Sequence, residues 1–178
     1  MNPPLTRRAA IQSAGAALVA GKPAAAATAT TRLRLRLIAT SDLHANVFAY
    51  DYYRDRPDDT VGLAKTAALI RAARAEEPNT LLFDNGDIIQ GAPLGDYVAN
   101  ARGLNRGEIH PMIAAMNVLG YAAATVGNHE FNYGLDFLEI ALNGANFPIL
   151  CCNVFKPDGT FYFKPWSILT PTLRGESG

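Results

Sequence analysis

Short apolar runs alternate along this chain with longer segments in which apolar residues recur every three to four positions. The short runs predict strands and the longer segments predict helices. The predicted strands cover residues 32–40, 79–87, 122–126, 147–154 and 161–169. The predicted helices cover residues 60–77, 110–121 and 133–144. Strands that alternate with helices need crossover connections, so the pattern predicts an α/β fold with a parallel sheet.

Each of the first three predicted strands runs directly into a polar cluster, and ligands of α/β sheets bind where strands end. The clusters are Asp42-Leu43-His44, Asp84-Asn85-Gly86-Asp87 and Gly127-Asn128-His129-Glu130. Asp42 and His44 are two residues apart, so in extended backbone their side chains point the same way and form a ligand pair. Gly86 allows a tight turn that aims Asp87 outward, and Asn128 offers an amide oxygen. One such cluster is ordinary turn chemistry, but three in this order indicate a metal-binding site.

Composition narrows the classes of protein that the chain can belong to. With 16 Lys and Arg against 16 Asp and Glu, the net charge is zero, which argues against a strongly basic nucleic-acid binder. Hydrophobic residues make up 49% and charged residues 18% of the chain, which excludes wholesale disorder. We expect no stable membrane span, because no apolar run reaches about 18 residues, and two cysteines exclude a disulfide scaffold.

The first thirty residues have the layout of an export signal. A basic start that ends in Arg7-Arg8 precedes a mildly apolar run at residues 9–20 and an alanine tract with A-x-A cleavage patterns. We expect a signal peptide over residues 1–30, of twin-arginine (Tat) type, and hence a periplasmic location. Sec export and a simple alanine-rich tail stay as alternatives, since the residues after the arginine pair depart from the usual Tat pattern.

The clusters D-x-H, G-D and G-N-H-E, in this order, resemble the first half of the calcineurin-like metallophosphoesterase signature. The stretches SDLHANVFAYDYYRD, DNGDIIQGAPLGDY and VGNHEFNYGLDFL are similar to the secreted nucleotidase branch, in particular to 2',3'-cyclic-nucleotide 2'-phosphodiesterase/3'-nucleotidases. The resemblance covers residues 33 to 175. It implies an α/β domain that is the N-terminal half of a β-sandwich flanked by helices in four αββα layers. It also implies a small-molecule nucleotide substrate.

The resemblance further implies two divalent metal ions and a role for each site residue. Asp42 and His44 would hold the first ion. Asp87 would bridge both ions and Asn128 would hold the second. His129 would bind no metal but would face the substrate phosphate as the catalytic imidazole. Mixed nitrogen and oxygen ligands suit Zn, Mn, Fe or Co, and the sequence does not choose among these metals.

Several single residues carry competing interpretations. In the classical 5'-nucleotidases of the family an Asp stands three residues after the catalytic His, where this chain has Asn132. An Asn orients an imidazole without stabilising its cation by charge, so Asn132 favours the cyclic-phosphodiesterase pattern. The competing interpretation makes Asn132 only the N-cap of a helix that begins at Tyr133. We expect His110 to be a surface or capping residue, and Cys151 and Cys152 to be packing residues on opposite faces of a strand.

The family pattern continues beyond what this chain contains. The resemblance implies a later His ligand and a G-H-x-H motif, and no His follows His129. We therefore expect residues 31–178 to be the N-terminal part of a truncated catalytic domain, inactive alone, that needs its missing half or a complementary chain as partner. Three hypotheses stay open: the phosphodiesterase/3'-nucleotidase, a 5'-nucleotidase or nucleotide-sugar hydrolase, and a non-catalytic module. Nucleic acid is not an expected partner.

Overall fold

The computed structural model describes residues 33–175, so the export signal predicted over residues 1–30 lies outside the described part of the chain. The strands are β1 Arg36–Thr40, β2 Tyr50–Asp51, β3 Arg56–Pro57, β4 Thr80–Asp84 and β5 Ala123–Ala124. The helices are α1 Leu63–Glu76, α2 Pro93–Asp96, α3 Pro111–Leu119 and α4 Leu135–Leu142. None of the described helices combines the length and the apolar character that a membrane crossing requires.

β1, β4 and β5 form a parallel sheet with β4 in the centre. Thr40 at the end of β1 lies opposite Asp84, and Asp84 lies opposite Ala124 at the end of β5. The carboxyl ends of the three strands are therefore level at one edge of the sheet. The predicted α/β class with a parallel sheet is confirmed.

Helices pack on one face of this sheet and form the core with it. Leu82 in β4 is fully buried on this face, whereas Leu37 in β1, one position out of phase, is 65% exposed on the other. The helices contribute apolar residues at helical spacing: Leu63, Ala67 and Ile70 of α1, Met112, Ile113 and Met116 of α3, and Leu138 and Leu142 of α4. Burial of each large apolar side chain contributes roughly 1.5–3 kcal/mol. The predicted amphipathic helices therefore hold the sheet edge in place.

The strands predicted over residues 147–154 and 161–169 are reduced to single backbone bridges. The bridges are Ala124–Ile149 and Leu150–Lys164, both parallel, and Phe155–Phe161, which is antiparallel. Pro148 and Pro165 interrupt the two segments, and proline has no N–H to donate to a ladder. The prediction of two full strands here is wrong in extent for that reason.

Residues 93–102 form a helical segment that the apolar pattern does not predict. α2 begins with Pro93 at its first position and continues directly into the π-helical turns Tyr97–Arg102. Proline suits the first turn of a helix because its missing N–H has no partner there in any case. Pro93 is therefore a local signal for the start of a helix that the apolar pattern alone does not reveal.

Two single-residue predictions have different outcomes. His110 is the N-cap residue of α3, and its Nδ1 accepts a hydrogen bond from the backbone N–H of Met112 at 3.2 Å. Capping is therefore confirmed, but a surface position is wrong, because the ring is fully buried and burial lowers its pKa to about 4. Cys151 and Cys152 are both free thiols, and Cys151 is buried as the packing prediction requires, but Cys152 is exposed and neither residue lies in a strand, so the rest of that prediction is wrong.

Candidate metal centre

The loops that follow β1, β4 and β5 meet at the level edge of the sheet. We call residues 41–46, 86–92 and 127–132 the edge loops. They bring three of the predicted ligands together, since ligand atoms of Asp42, His44 and Asp87 all lie within 4.8 Å of one another. Two carboxylates and an imidazole at this spacing fit a divalent ion that accepts mixed oxygen and nitrogen ligands.

An unusual backbone presents these three side chains. Asp42, His44 and Asp87 have φ angles of 55°, 47° and 61°, in the left-handed region that costs non-glycine residues on the order of 1–3 kcal/mol each. Backbone hydrogen bonds between the first two edge loops stabilise this conformation. Asp42 N donates to Gly86 O at 3.0 Å, and His44 N donates to Asp87 O at 2.8 Å. Asp42 and His44 are therefore close to each other, but the extended backbone expected for this pair is wrong.

A backbone carbonyl determines which ring nitrogen of His44 carries the proton. Its Nδ1 lies 2.8 Å from the carbonyl oxygen of Gln90, and because a carbonyl only accepts, Nδ1 carries the proton and donates. The lone pair of the neutral ring is then on Nε2, 3.6 Å from Asp42 Oδ1. Gly91 lies against the ring, where a Cβ would come within 2.7 Å of Nδ1. A carbonyl that orients the far ring nitrogen is the usual support of a histidine ligand.

The imidazole of His129 has the opposite tautomer to that of His44. Its Nδ1 lies 3.0 Å from the side-chain Nδ2 of Asn132, and because an amide nitrogen only donates, Nδ1 accepts. The proton of the neutral ring is therefore on Nε2. α4 begins at Leu135 with Gly134 as its N-cap residue, so the interpretation of Asn132 as the N-cap is wrong. Asn132 orients the imidazole instead.

The backbone of His129, rather than its ring, ties the third edge loop to the ligand group. Its N–H donates to Asp87 Oδ1 at 2.9 Å, and its ring centroid lies 5.1 Å from that of His44 with the planes at 77°. Asn128, the remaining predicted ligand, is exposed at the start of the 3₁₀ turn His129–Phe131. The edge loops thus place both imidazoles and the Asp87 carboxylate side by side.

Asp84, at the end of β4, lies behind this group and is buried. Burial raises the pKa of its carboxyl to about 6, although Thr40 Oγ1 and Gly86 N donate hydrogen bonds to it at 2.6 and 2.8 Å. The neighbouring carboxylates of Glu130 and Asp42 raise this pKa further. Burial therefore makes the charged form of Asp84 less favourable in the folded protein than in water, and the carboxyl is mostly protonated only below about pH 6.

Glu130 is the site residue that sequence reasoning missed. It is fully buried, and its carboxylate accepts hydrogen bonds from backbone N–H groups of the second and third edge loops. In the sequence it is only the last letter of the third cluster, where a glutamate is equally suited to the first turn of a helix. Its partners in the second edge loop lie about forty residues earlier in the chain, so no local signal identifies its role across the two loops.

Comparisons with known proteins identify relatives over most of this chain. The family model of calcineurin-like phosphoesterases matches residues 35–171. The chain is 52% identical over 168 residues to the 2',3'-cyclic-nucleotide 2'-phosphodiesterase/3'-nucleotidase of Salmonella typhimurium, and 48% identical over 164 residues to the protein of that name in Yersinia enterocolitica. Each match covers 92% of this chain and 25% of the relative, so the chain spans about a quarter of the length of these curated relatives.

A solved structure shares the fold. The crystal structure of the calcineurin-like phosphoesterase YfkN from Bacillus subtilis matches with a TM-score of 0.76 at 48% identity, over 79% of this chain and 43% of that one. The parallel sheet, the helices on its face and the order of the edge loops are those that the resemblance implies. The chain therefore belongs to the calcineurin-like phosphoesterase family.

Proposed function

We propose that this chain supplies part of the catalytic site of a metal-dependent hydrolase of nucleotide phosphoesters, of the 2',3'-cyclic-nucleotide 2'-phosphodiesterase/3'-nucleotidase type. The observation that carries the proposal is the pair of neighbouring imidazoles with opposite tautomers. His44 presents a lone pair on Nε2, whereas His129 presents an N–H. One ring is prepared to bind a cation and the other to donate to an anion, which suits a phosphoester at a metal centre. The names of relatives at 48% and 52% identity support a nucleotide as substrate.

In this proposal Asp42 and His44 hold one divalent ion, and Asp87 is shared with a second. Asn128 is the further ligand of the second ion. Such a pair of ions supplies Lewis-acid polarisation of the phosphoryl group and activation of a water molecule. His129 donates from Nε2 to a phosphoryl oxygen and so offsets the developing negative charge. For the same ring to supply the Nε2 proton to the departing sugar oxygen, Nδ1 must also carry a proton, and the Asn132 amide must turn so that its oxygen accepts from Nδ1.

A 5'-nucleotidase or nucleotide-sugar hydrolase of the same family is the second hypothesis. The contact between Asn132 and His129 argues against it, because a neutral amide orients the ring without stabilising its cation. The test compares hydrolysis of 2',3'-cyclic AMP, 3'-AMP and 5'-AMP by the protein expressed from its native gene. Preference for the first two substrates supports the proposal, and equal or faster hydrolysis of 5'-AMP contradicts it.

The 178-residue chain itself has an uneven set of proposed ligands. The first ion receives three protein ligands, Asp42, His44 and Asp87, whereas the second receives only Asp87 and Asn128. A divalent ion held by one carboxylate and one amide competes poorly with water, and two-metal catalysis needs both ions. We expect one tightly bound Mn²⁺ per chain and no hydrolysis of 2',3'-cyclic AMP above background. Two ions per chain by elemental analysis, with sustained turnover, would contradict this.

Single substitutions separate the proposed ligands from the proposed catalytic imidazole. Asp87→Asn is expected to weaken Mn²⁺ binding at least tenfold, because a neutral amide replaces the shared carboxylate. His129→Ala is expected to leave Mn²⁺ affinity within about threefold, because its ring is not a ligand. Asp136→Asn, an exposed aspartate of α4, is the matched control for loss of one charge. Loss of Mn²⁺ in His129→Ala would make His129 a ligand instead.

We also propose that the protein is exported to the periplasm by the Tat route. The support is the Arg7-Arg8 pair and the alanine tract before residue 30. Changing both arginines to lysine is expected to leave unprocessed precursor in the cytoplasm, which fractionation and immunoblotting measure. Unchanged periplasmic delivery would exclude the Tat route.

A further inference from the structure

Glu130 has no role in the proposed chemistry, yet its side chain is hydrogen-bonded to two of the edge loops. Its carboxylate accepts from four backbone N–H groups. Oε2 accepts from Asp87 at 2.8 Å and from Gly127 at 2.6 Å. Oε1 accepts from Ile88 at 2.5 Å and from Ile89 at 3.1 Å. Because the side chain is fully buried, no water competes for these donors, and all four point at one carboxylate.

The four donors belong to two different edge loops. Asp87, Ile88 and Ile89 follow β4, whereas Gly127 follows β5. Consecutive N–H groups of a left-handed turn converge to form an anion-binding concavity, and Asp87 has the positive φ that such a turn requires. Glu130 fills this concavity from within the protein. The same carboxylate therefore holds the strained turn at Asp87 and fastens it to the loop that carries His129.

We propose that Glu130 is a positioning residue of the metal centre: its carboxylate clamps the Asp87 turn to the third edge loop. It acts on the site only through the position of Asp87, whose Oδ1 also accepts from His129 N at 2.9 Å. The inference rests on the proposed function for the part that concerns metal affinity, whereas the clamp itself rests only on the contacts of Glu130.

The sharpest variant is Glu130→Gln, which keeps the size of the side chain. A glutamine offers one oxygen and an NH₂ group, and the NH₂ group faces N–H donors that it cannot accept from. Glu77→Gln is the matched control, because Glu77 is also buried and accepts from a backbone N–H, that of Asn79, at the opposite end of β4. Both variants lose one buried carboxylate, but only Glu130 contacts the edge loops.

Two measurements are made on the 178-residue chain, with circular dichroism to verify folding. In Glu130→Gln we expect Mn²⁺ affinity, titrated by electron paramagnetic resonance, to fall 10- to 100-fold. Amide hydrogen exchange at Asp87, Ile88, Ile89 and Gly127 is expected to become at least tenfold faster. In Glu77→Gln both quantities are expected to stay within about threefold of the wild type. Faster exchange with unchanged Mn²⁺ affinity would overturn the positioning role, and unchanged exchange would overturn the clamp.

The remaining outcomes are also decisive. If Glu130→Gln does not fold, Glu130→Asp keeps the charge but shortens the side chain by one methylene, and it is expected to show smaller changes in the same direction. Wild-type values for Glu130→Asp in both measurements would overturn the proposal. If the wild-type chain binds no Mn²⁺, the proposed metal site fails by itself, and the exchange rates alone decide whether Glu130 clamps the two loops.

Discussion

The edge loops and residues 147–175 both consist mostly of irregular backbone, yet different interactions hold them. In the edge loops, backbone N–H groups donate hydrogen bonds to carbonyl groups and to the buried Glu130 carboxylate of another loop that is distant in sequence. Residues 147–175, which we call the C-terminal segment, are held at separate points, by isolated backbone bridges, by the buried Phe147 and by two hydrogen bonds between Asn79 and Arg174. Between these points Trp166 and Ile168 are 66% and 77% exposed. Irregular backbone is therefore held densely where buried polar groups bond between neighbouring loops, and only at separate points in the C-terminal segment.

Substitution in the central strand is expected to have the largest effect on the edge loops. Leu82→Ala removes a fully buried side chain of β4, the strand that leads into Asp84 and Asp87. We expect the free energy of unfolding to fall by about 2–5 kcal/mol, because the cavity adds to the lost burial. Urea denaturation followed by circular dichroism measures this. A loss below about 1 kcal/mol would show that the sheet does not support the edge loops as described.

The buried carboxyl group of Asp84 makes the stability of the edge loops depend on pH. Its pKa is about 6 in the folded protein against an ordinary value of 3.8, so between these values the folded state binds more protons than the unfolded state. Stability from this group therefore falls as pH rises from about 4 to 6, by up to about 3 kcal/mol. Asp84→Asn is expected to remove that loss and to be more stable than the wild type at pH 7. Denaturation of metal-free protein at several pH values measures it.

His110 contributes with the opposite sign in nearly the same pH window. Its pKa is lowered from 6.5 to about 4, so the unfolded state binds more protons between these values, and stability rises with pH there. The Asp84→Asn variant lacks the carboxyl group that opposes this effect. Its free energy of unfolding should therefore rise with pH from about 4 to 6.5. A profile that falls over this range would contradict the burial effect at His110.

Substitutions of Gly127 and Gly159 compare the edge loops with the C-terminal segment in their effect on metal binding. A Cβ at Gly127 would collide with the Asp87 carboxylate, so Gly127→Ala must displace a proposed ligand. We expect Mn²⁺ affinity to fall about 10- to 100-fold. Gly159→Ala in the C-terminal segment is the matched control: its φ of +82° brings strain, but no atom lies within 4 Å of the new Cβ. Equal Mn²⁺ affinities for the two variants would contradict the distinction between the regions.

The smallest effect is expected in the C-terminal segment. Ile168→Ala removes an apolar side chain that is 77% exposed, so little burial is lost. We expect the free energy of unfolding to change by less than about 0.5 kcal/mol, measured by the same urea denaturation as for Leu82→Ala. A change above about 1 kcal/mol would show that this segment packs as firmly as β4.

Local pattern was enough to predict the parallel sheet and the helices α1, α3 and α4, but not α2, because strand and helix periodicities are properties of neighbouring residues in segments of sufficient length. It failed where two local interpretations competed. Asn132 suits an N-cap by residue type, but the helix begins after Gly134 and its amide is used by His129 instead. The capping bond of His110 is local and was predicted, but a polar residue type also suits a surface, and the burial of the ring depends on what α3 packs against.

The sequence by itself determined the order of strands and helices and placed the residues of D-x-H, G-D and G-N-H-E at strand ends. Only the tertiary structure decided the tautomers and the backbone conformations of those residues. The tautomer of His44 depends on a carbonyl 46 residues away, and the turn at Asp87 depends on a carboxylate 43 residues away. Contacts of such separation form only once the parallel strands are level, because crossover helices separate the loops in the chain and the sheet brings their ends together.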